Sequence, residues 1–166
     1  MKKQDIIKQL GMIPLDGEGG FFKQTHLSEV LIESKLMNGK TISRPSCTSI
    51  LYLIGGDDFS ALHKLETNEF FHFVAGAPCE LTQISAQGKV TKTKLGSGLD
   101  NETKSQEIVF GGNYQGLRSL GEWTLLGTYM SPGFSFEDFE VPTREKLLQT
   151  FPELKNEVLN LTRGSE

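Results

Sequence analysis

Two of the three histidines in the chain, His63 and His72, lie in one polar window that is bounded by Gly56 and Gly76. The window also contains Glu69. An imidazole on one predicted strand and a carboxyl after the next predicted turn can both point into the mouth of a barrel. Burial there moves the pKa values of an acid and a base towards neutral pH, where they exchange protons with a substrate. A lone histidine is more often a hydrogen-bonded core residue, but the bracketing glycines favour the catalytic interpretation.

The length and charge of the chain limit its organisation and its partners. A chain of 166 residues fits one domain with a sizeable core, so we expect a single domain over residues 1–166. The 17 Lys and Arg against 21 Asp and Glu give a net charge of −4, which draws the protein neither to nucleic acid nor to an anionic membrane. A small, neutral or cation-tolerant partner fits this charge better.

The cysteines and the apolar runs indicate the compartment. Cys47 and Cys79 are too few for a disulfide framework or a zinc cluster, and we interpret both as reduced thiols. The amino terminus has no apolar run of the signal-peptide type, and no window is apolar enough for a membrane span. The sequence therefore predicts a cytoplasmic protein without a membrane association.

The spacing of turn residues predicts many short strands, since glycine is frequent and no helix of ten or more residues separates them. The predicted strands cover residues 21–25, 30–34, 48–54, 59–65, 69–74, 79–84, 90–95, 108–110, 115–119 and 123–130. Residues 37–40 are interpreted as a linker, and Gly88 lies in a predicted hairpin turn. The fold class is therefore mainly all-β: a sandwich, a jelly roll or a barrel.

Helices are predicted only at the two ends of the chain. Ile6, Ile7 and Leu10 recur at helical spacing near the amino terminus. A second helical pattern covers residues 143–162, and Pro152 divides it into two short helices. The barrel core then lies at about residues 18–141.

The glycine, histidine, glutamate and glycine at positions 56, 63, 69 and 76 resemble a degenerate first motif of the cupins. A second-motif counterpart lies at residues 109–115, where Phe110 replaces the usual proline and Gln115 the usual histidine. With further matches at residues 10–14, 18–25 and 131–139, the chain resembles the cupin-5 family, a domain of unknown function 985. The resemblance implies a cupin double-stranded β-helix, or jelly-roll barrel, with short terminal helices. It also implies a homodimer.

Metal-dependent cupins use three histidines and one glutamate, and this chain lacks part of that set. Leu65 and Gln115 stand at two of the histidine positions, and strand alternation puts His72 on the face opposite Glu69. We therefore expect neither a tightly bound metal nor another cofactor. If a metal does bind, its ligands are His63, Glu69 and Gln115.

The resemblance implies a small-molecule-binding protein and, by analogy with metal-free epimerases among cupins, an isomerase or epimerase acting on a sugar or a sugar-nucleotide-like substrate. In this hypothesis His63 is the base, Glu69 orients or activates it, and Tyr52, Tyr114 or Tyr129 is the acid. The candidate ligand-binding residues are Glu18, Lys23, Thr25, Ser49, Ser60, Phe71 and Gln115. A non-catalytic ligand-binding protein and a metal-dependent enzyme remain as alternatives, and the sequence does not decide whether the protein is an enzyme.

Overall fold

Twelve strands and a few short helices form the chain in a computed structural model that describes residues 1–164. The strands are β1 (Ile13–Pro14), β2 (Phe21–Leu27), β3 (Leu31–Lys35), β4 (Thr41–Pro45), β5 (Thr48–Ile54), β6 (Ser60–Lys64), β7 (Glu69–Gly76), β8 (Cys79–Ile84), β9 (Val90–Leu95), β10 (Gln106–Val109), β11 (Tyr114–Ser119) and β12 (Thr124–Met130). The helices are α1 (Lys3–Leu10), α2 (Arg144–Thr150), a 3-10 turn (Pro152–Leu154) and α3 (Lys155–Asn160). None of the helices in residues 1–164 is long and apolar enough to cross a membrane.

Two antiparallel sheets face each other and form a jelly roll, which confirms the predicted fold class. One sheet has the strand order β1-β2-β5-β12-β7-β10, and the other has the order β6-β11-β8-β9. Alternate side chains of the strands point into the space between the sheets, where they bury apolar surface. Tyr52, Phe71 and Leu126 from the first sheet meet Leu81 and Leu117 from the second in this core.

The helices cover the outer faces of the two sheets. Ile6 of α1 and Met12 pack on Leu53 and Leu125 of the first sheet. On the other side, α2 and α3 and the residues that follow each of them bury an apolar cluster against the second sheet; it comprises Leu62, Ile84, Tyr114, Leu147, Phe151, Val158 and Leu161. Each sheet therefore buries apolar side chains on both faces, and the predicted terminal helices are confirmed.

The region between β2 and β5 differs from the prediction. Residues 37–40, interpreted as a linker, form the turn of a hairpin in which β3 pairs with β4. The second strand of this hairpin escaped the sequence analysis because Thr41–Pro45 alternates buried and exposed residues over only five positions and ends in a proline.

The hairpin is attached to the barrel by a buried ion pair. Nη2 of Arg44 donates to Oδ2 of Asp138 at 2.8 Å, and Nη1 donates to the carbonyl of Gly133 at 3.2 Å. The side chains of Arg44 and Asp138 are both fully buried. Asp138 belongs to the segment 133–139 that follows β12, so the pair joins the hairpin to that segment.

We expect Arg44→Ala to lower the free energy of unfolding by about 3–5 kcal/mol, because it leaves the carboxylate of Asp138 buried without a partner. The matched control is Lys40→Ala, which removes the exposed pair of Lys40 with Glu137 between the same two segments. Such a surface pair contributes about 0–1 kcal/mol. Urea denaturation of both variants measures the difference, and equal losses would contradict this assignment.

Candidate functional site

A cavity of about 310 Å³ opens at one end of the barrel, a size that suits a small ligand. Its walls come from the loop before β2, from β2, β5, β6, β7 and β12, and from the segment 133–139. The polar lining residues are Glu18, Gln24, Thr48, Ser49, His63, Glu69 and Thr128. The apolar lining residues are Leu15, Phe22, Leu27, Ile50, Leu65, Met130, Phe134, Phe136 and Phe139. The cavity therefore brings an acid–base cluster next to an aromatic wall.

The hydrogen bonds of His63 determine which of its ring nitrogens carries the proton. Nδ1 lies 2.8 Å from the carbonyl oxygen of Ala61, which can only accept, so Nδ1 is the donor. In the neutral ring Nε2 then holds a lone pair, and it accepts a hydrogen bond from the amide nitrogen of Gln115 at 2.9 Å. The imidazole is thereby held with its basic nitrogen towards the polar cluster.

Gln115 links His63 to Glu69. The two side chains come from opposite sheets, since His63 and Gln115 are cross-strand partners on β6 and β11 whereas Glu69 begins β7. The amide nitrogen of Gln115 also donates to Oε2 of Glu69 at 2.6 Å, so its two hydrogens serve a base and an acid. The sequence predicts that Glu69 orients or activates His63, and the structure connects the two through Gln115.

The carboxyl of Glu69 is buried in this cluster, and burial is the largest influence on its pKa, which it raises. His63 acts in the opposite direction, Glu18 raises the pKa further, and hydrogen bonds with Thr128 and Gln115 lower it. The net result is a pKa above the usual range. Glu69 therefore holds its proton more firmly than an exposed glutamate does, which suits a proton donor.

Glu18 is the carboxylate that faces His63 directly. Its Oε1 accepts from the hydroxyl of Ser60 at 2.7 Å, and its Oε2 lies 3.8 Å from Nε2 of His63. A proton that arrives at Nε2 would form an imidazolium beside this carboxylate. Glu18 is therefore placed to stabilise the charged form of the base.

A network around Arg163 fixes the loop that carries Glu18. The guanidinium donates to the carbonyl of Glu18 at 2.7 Å, to Asp58 at 2.7 Å and to the carbonyl of Phe59 at 2.9 Å. It comes so close to Gly19, whose φ is +102°, that a side chain there would collide with it. The glycines of residues 16–20 thus allow a loop that Arg163 holds tightly.

An aromatic wall leads from His63 to the surface. The ring of Phe139 lies 5.6 Å from that of His63, and Phe134 packs edge-on against both Phe139 and Phe136. Phe136 is 79% exposed and marks the opening of the cavity. The buried pair of Arg44 and Asp138 holds this segment in place.

The residues present do not fit a metal centre. The amide nitrogen of Gln115 is within hydrogen-bond distance of both His63 and Glu69, so its hydrogens occupy the lone pair on Nε2 of His63 and one lone pair on Oε2 of Glu69. Within residues 1–164 no three His, Cys, Asp or Glu side chains converge as a metal site. His72 lies over Gly127 and beside Tyr129, on the face of the sheet opposite Glu69.

The three candidate tyrosines occupy different places. Tyr52 is buried near Glu18 and Ser60 and donates to the carbonyl of Gly19 at 2.8 Å; burial and the charge of Glu18 raise its pKa well above the usual value. Tyr114 packs edge-on against Phe151, under the carboxyl-terminal helices. Tyr129 stacks on Phe70 on the outer face of the first sheet. None of the three tyrosines is among the described residues that line the cavity.

The predicted ligand-binding residues also divide into groups. Glu18 and Ser49 line the cavity, while Ser60 and Gln115 support it from behind through Glu18, His63 and Glu69. The exposed hydroxyl of Thr25 donates to Ser49 at 3.0 Å. The remaining two are Lys23, which is exposed on β2, and Phe71, which is buried in the core.

Several residues of the site were not anticipated. Arg163 and Arg44 act from distant parts of the chain, and no local pattern marks them. Thr128 faces inward on β12 beside Glu69. The alternation of β12 could have indicated Thr128, because residues 124, 126, 128 and 130 share one face of that strand.

The sequence and the fold were compared with known proteins. The model of the family Cupin_5, described as Cupin superfamily (DUF985), matches residues 4–142. No curated protein sequence gives a significant match.

The structure is similar to several solved structures. A protein of Shewanella oneidensis is 30% identical with a TM-score of 0.89, and the alignment covers 99% of each chain. A hypothetical protein from Leishmania major is 22% identical with a TM-score of 0.88 over 99% of this chain and 100% of that one. Oxalate decarboxylase from Bacillus subtilis is 16% identical with a TM-score of 0.56, over 93% of this chain and 38% of that one.

The raised pKa of Glu69 predicts a pH-dependent effect of Glu69→Gln. The wild-type carboxyl stabilises the folded state while it is protonated, below its ordinary pKa of about 4.3, and this contribution is lost as the pH rises through the raised value. The variant cannot ionise, so its free energy of unfolding relative to wild type should increase between pH 4 and pH 8, by roughly 1.4 kcal/mol for each unit by which the pKa is raised.

Glu107→Gln is the control, because its stability relative to wild type should change with pH in the opposite direction. Partial burial raises the pKa of Glu107, but hydrogen bonds from Lys104, the backbone of Ile108 and Thr93 outweigh this and lower it. Glu107→Gln should therefore lose stability relative to wild type as the pH rises from 4 to 8. Urea denaturation at pH 4 and pH 8 measures the free energy of unfolding of both variants relative to wild type. A change of the same sign in both variants would contradict the environment assigned to Glu69.

Proposed function

The chain belongs to the Cupin_5 family of the cupin superfamily, and from the acid–base cluster in its cavity we propose that it binds a small carbonyl compound and isomerises or epimerises it without a metal. The observation that carries the proposal is the lone pair on Nε2 of His63, held by the Nδ1 contact with Ala61 beside two carboxyl groups in one cavity. A base and an acid in one enclosed site are what proton transfer next to a carbonyl requires.

In the proposed reaction, Nε2 of His63 removes a proton from the carbon next to the carbonyl. The electron pair of the broken C–H bond moves into an enolate, and the new N–H bond replaces the hydrogen bond from Gln115. Glu18, with Oε2 at 3.8 Å, then stabilises the imidazolium. Glu69, with its raised pKa, supplies the proton that the enolate takes up. Isomer or epimer forms without net oxidation or reduction, and exchange with solvent then removes the proton from His63 and restores the proton of Glu69.

Glu69 suits the role of proton donor better than Tyr52 does. Glu69 lines the cavity, whereas the hydroxyl of Tyr52 is bound to the carbonyl of Gly19 in the core. The pKa of Tyr52, raised by burial, also makes it a weak acid at neutral pH. We therefore assign Tyr52 to the support of the Glu18 loop.

The proposal is limited to substrates without a phosphate group. The sequence analysis included sugar nucleotides, but no Lys or Arg is among the described residues that line the cavity. Lys23 is exposed on β2 and is absent from that lining. A diphosphate would meet carboxylates and phenylalanines there, which gives it no counter-charge.

The predicted homodimer also remains a proposal, and the open edge of β2 supports it. Within the described chain, β1 pairs only with Phe21 and Phe22, so Lys23–Leu27 pairs with β5 alone. Leu27, Val30 and Leu31 are exposed beside this edge. Such edges favour pairing with a second chain.

A cytoplasmic location is proposed on a separate ground, since Cys47 and Cys79 are both free thiols.

Exchange of a carbon-bound proton in D₂O tests the proposed chemistry without knowledge of the product. Small aldoses and hydroxyketones are incubated with the protein, and proton NMR follows the signal of the hydrogen next to the carbonyl. We expect exchange of at least one compound with the wild type, and a loss of about 100-fold or more in His63→Gln. His72→Gln is the matched control, because it changes a histidine outside the cavity, and should retain the rate.

Full exchange by a folded His63→Gln protein would contradict the assigned base. Binding of a compound without exchange would instead favour the alternative of a non-catalytic binding protein. Elemental analysis of the same active preparation separates the remaining alternative, since about one transition-metal ion per chain would contradict the metal-free mechanism.

A further inference from the structure

The polar end of the cavity contains more hydrogen-bond acceptors than donors. Glu18 and Glu69 present carboxyl oxygens to the cavity, whereas the lone pair on Nε2 of His63 already accepts from Gln115. The amide hydrogens of Gln115 are already used by His63 and Glu69, while its Oε1 is buried without a hydrogen-bond partner in the described part of the chain. A ligand that donates several hydrogen bonds would satisfy this cluster.

The charges around the cluster favour a cation over a neutral donor. Glu18 and Glu69 lie in the cavity, and its described lining includes no Lys or Arg. The two nearby arginines are engaged elsewhere, Arg163 by Asp58 and Arg44 by Asp138. In a partly enclosed site the carboxylate of Glu18 attracts a positive charge more strongly than it would in water.

The aromatic wall suits the remainder of such a ligand. Phe139 adjoins the ring of His63, and Phe134 and Phe136 continue the wall towards the opening. Phenylalanine rings bind apolar groups and also attract a cation that lies over a ring face. A ligand with its charged end inside would place its apolar body along this wall.

We infer that the ligand of this cavity is a small organic amine, bound with its ammonium group among Glu18, His63 and Glu69 and with an apolar body against Phe134, Phe136 and Phe139. This inference rests on the proposed function, because it names the substrate class of the same site. An ammonium group supplies three donors, which match the acceptors of the cluster. The class of substrate is then an amine that also carries a carbonyl.

Three compounds with one ring and different charges test the inference on the full-length protein. Benzylamine is cationic at pH 7.5, benzyl alcohol is neutral and benzoate is anionic. Titration calorimetry or ligand-observed NMR gives a dissociation constant for each. We expect benzylamine to bind at least about tenfold more tightly than benzyl alcohol, since charge-assisted hydrogen bonds are roughly twice as strong as neutral ones, and benzoate not to bind measurably.

Two variants locate the charge effect. Glu18→Gln should reduce the preference for benzylamine over benzyl alcohol, whereas Glu80→Gln, which removes an outer carboxylate paired with Lys92, should not. Where Glu18→Gln fails to fold, the comparison of the three compounds with the wild-type protein tests the amine class without it. An unchanged preference in a folded Glu18→Gln protein would overturn the assigned position.

The outcomes separate this inference from the proposed function. Binding of benzyl alcohol within about threefold of benzylamine, or tighter binding of benzoate, would overturn the amine class and leave the small-molecule site intact. Failure of all three compounds to bind, with no exchange of any carbonyl compound in D₂O, would overturn both. Tight binding of benzylamine, together with no exchange of an aminoketone in D₂O, would support the amine class and contradict catalysis.

Discussion

A buried polar group has to find a partner, and this constraint organises one end of the barrel. Burying an ionised group without a counter-charge or a hydrogen bond costs several kcal/mol, so the chain places a donor beside each carboxyl that it buries there. Asp138 accepts a hydrogen bond from Arg44, Glu18 accepts one from Ser60, and Glu69 accepts one from Gln115. Each of these partners comes from a distant part of the sequence, and together they fix the loop, the sheets and the aromatic segment around one cavity.

Local patterns in the sequence were sufficient to predict most of the strands but not these partnerships. Strands β8 and β9 and the break at Pro152 follow from alternation, turn glycines and proline, which act within a few residues. The pair of Arg44 and Asp138 joins positions 94 residues apart, so no local pattern indicates it. The second strand of the hairpin, which carries Arg44, was missed because its alternation covers only five positions and ends in a proline.

In the candidate site, too, local patterns predicted some residues, whereas contacts between distant residues were not predictable. The spacing of His63 and Glu69 indicated two side chains of one cavity, because strand alternation fixes which residues face inward. Alternation did not separate Tyr52 from Tyr114 and Tyr129, since it requires the inner face of each strand to be known. The direct contact of Glu18 with His63 depends on the conformation of the glycine loop and on its clamp by Arg163. These are properties of the folded chain and not of any short segment.

The two arginines next to the cavity explain why its interior is acidic although the chain is only weakly so. Arg163 fixes the Glu18 loop and is neutralised by Asp58, and Arg44 fixes the aromatic segment and is neutralised by Asp138. Both guanidinium groups also donate to backbone carbonyls, so their hydrogens are directed into the framework. The positive charges of Arg163 and Arg44 are therefore neutralised by their carboxylate partners within the walls of the cavity. The field inside the cavity is determined by Glu18 and Glu69 acting on His63, and the architecture of the walls thus fixes the chemistry of the site.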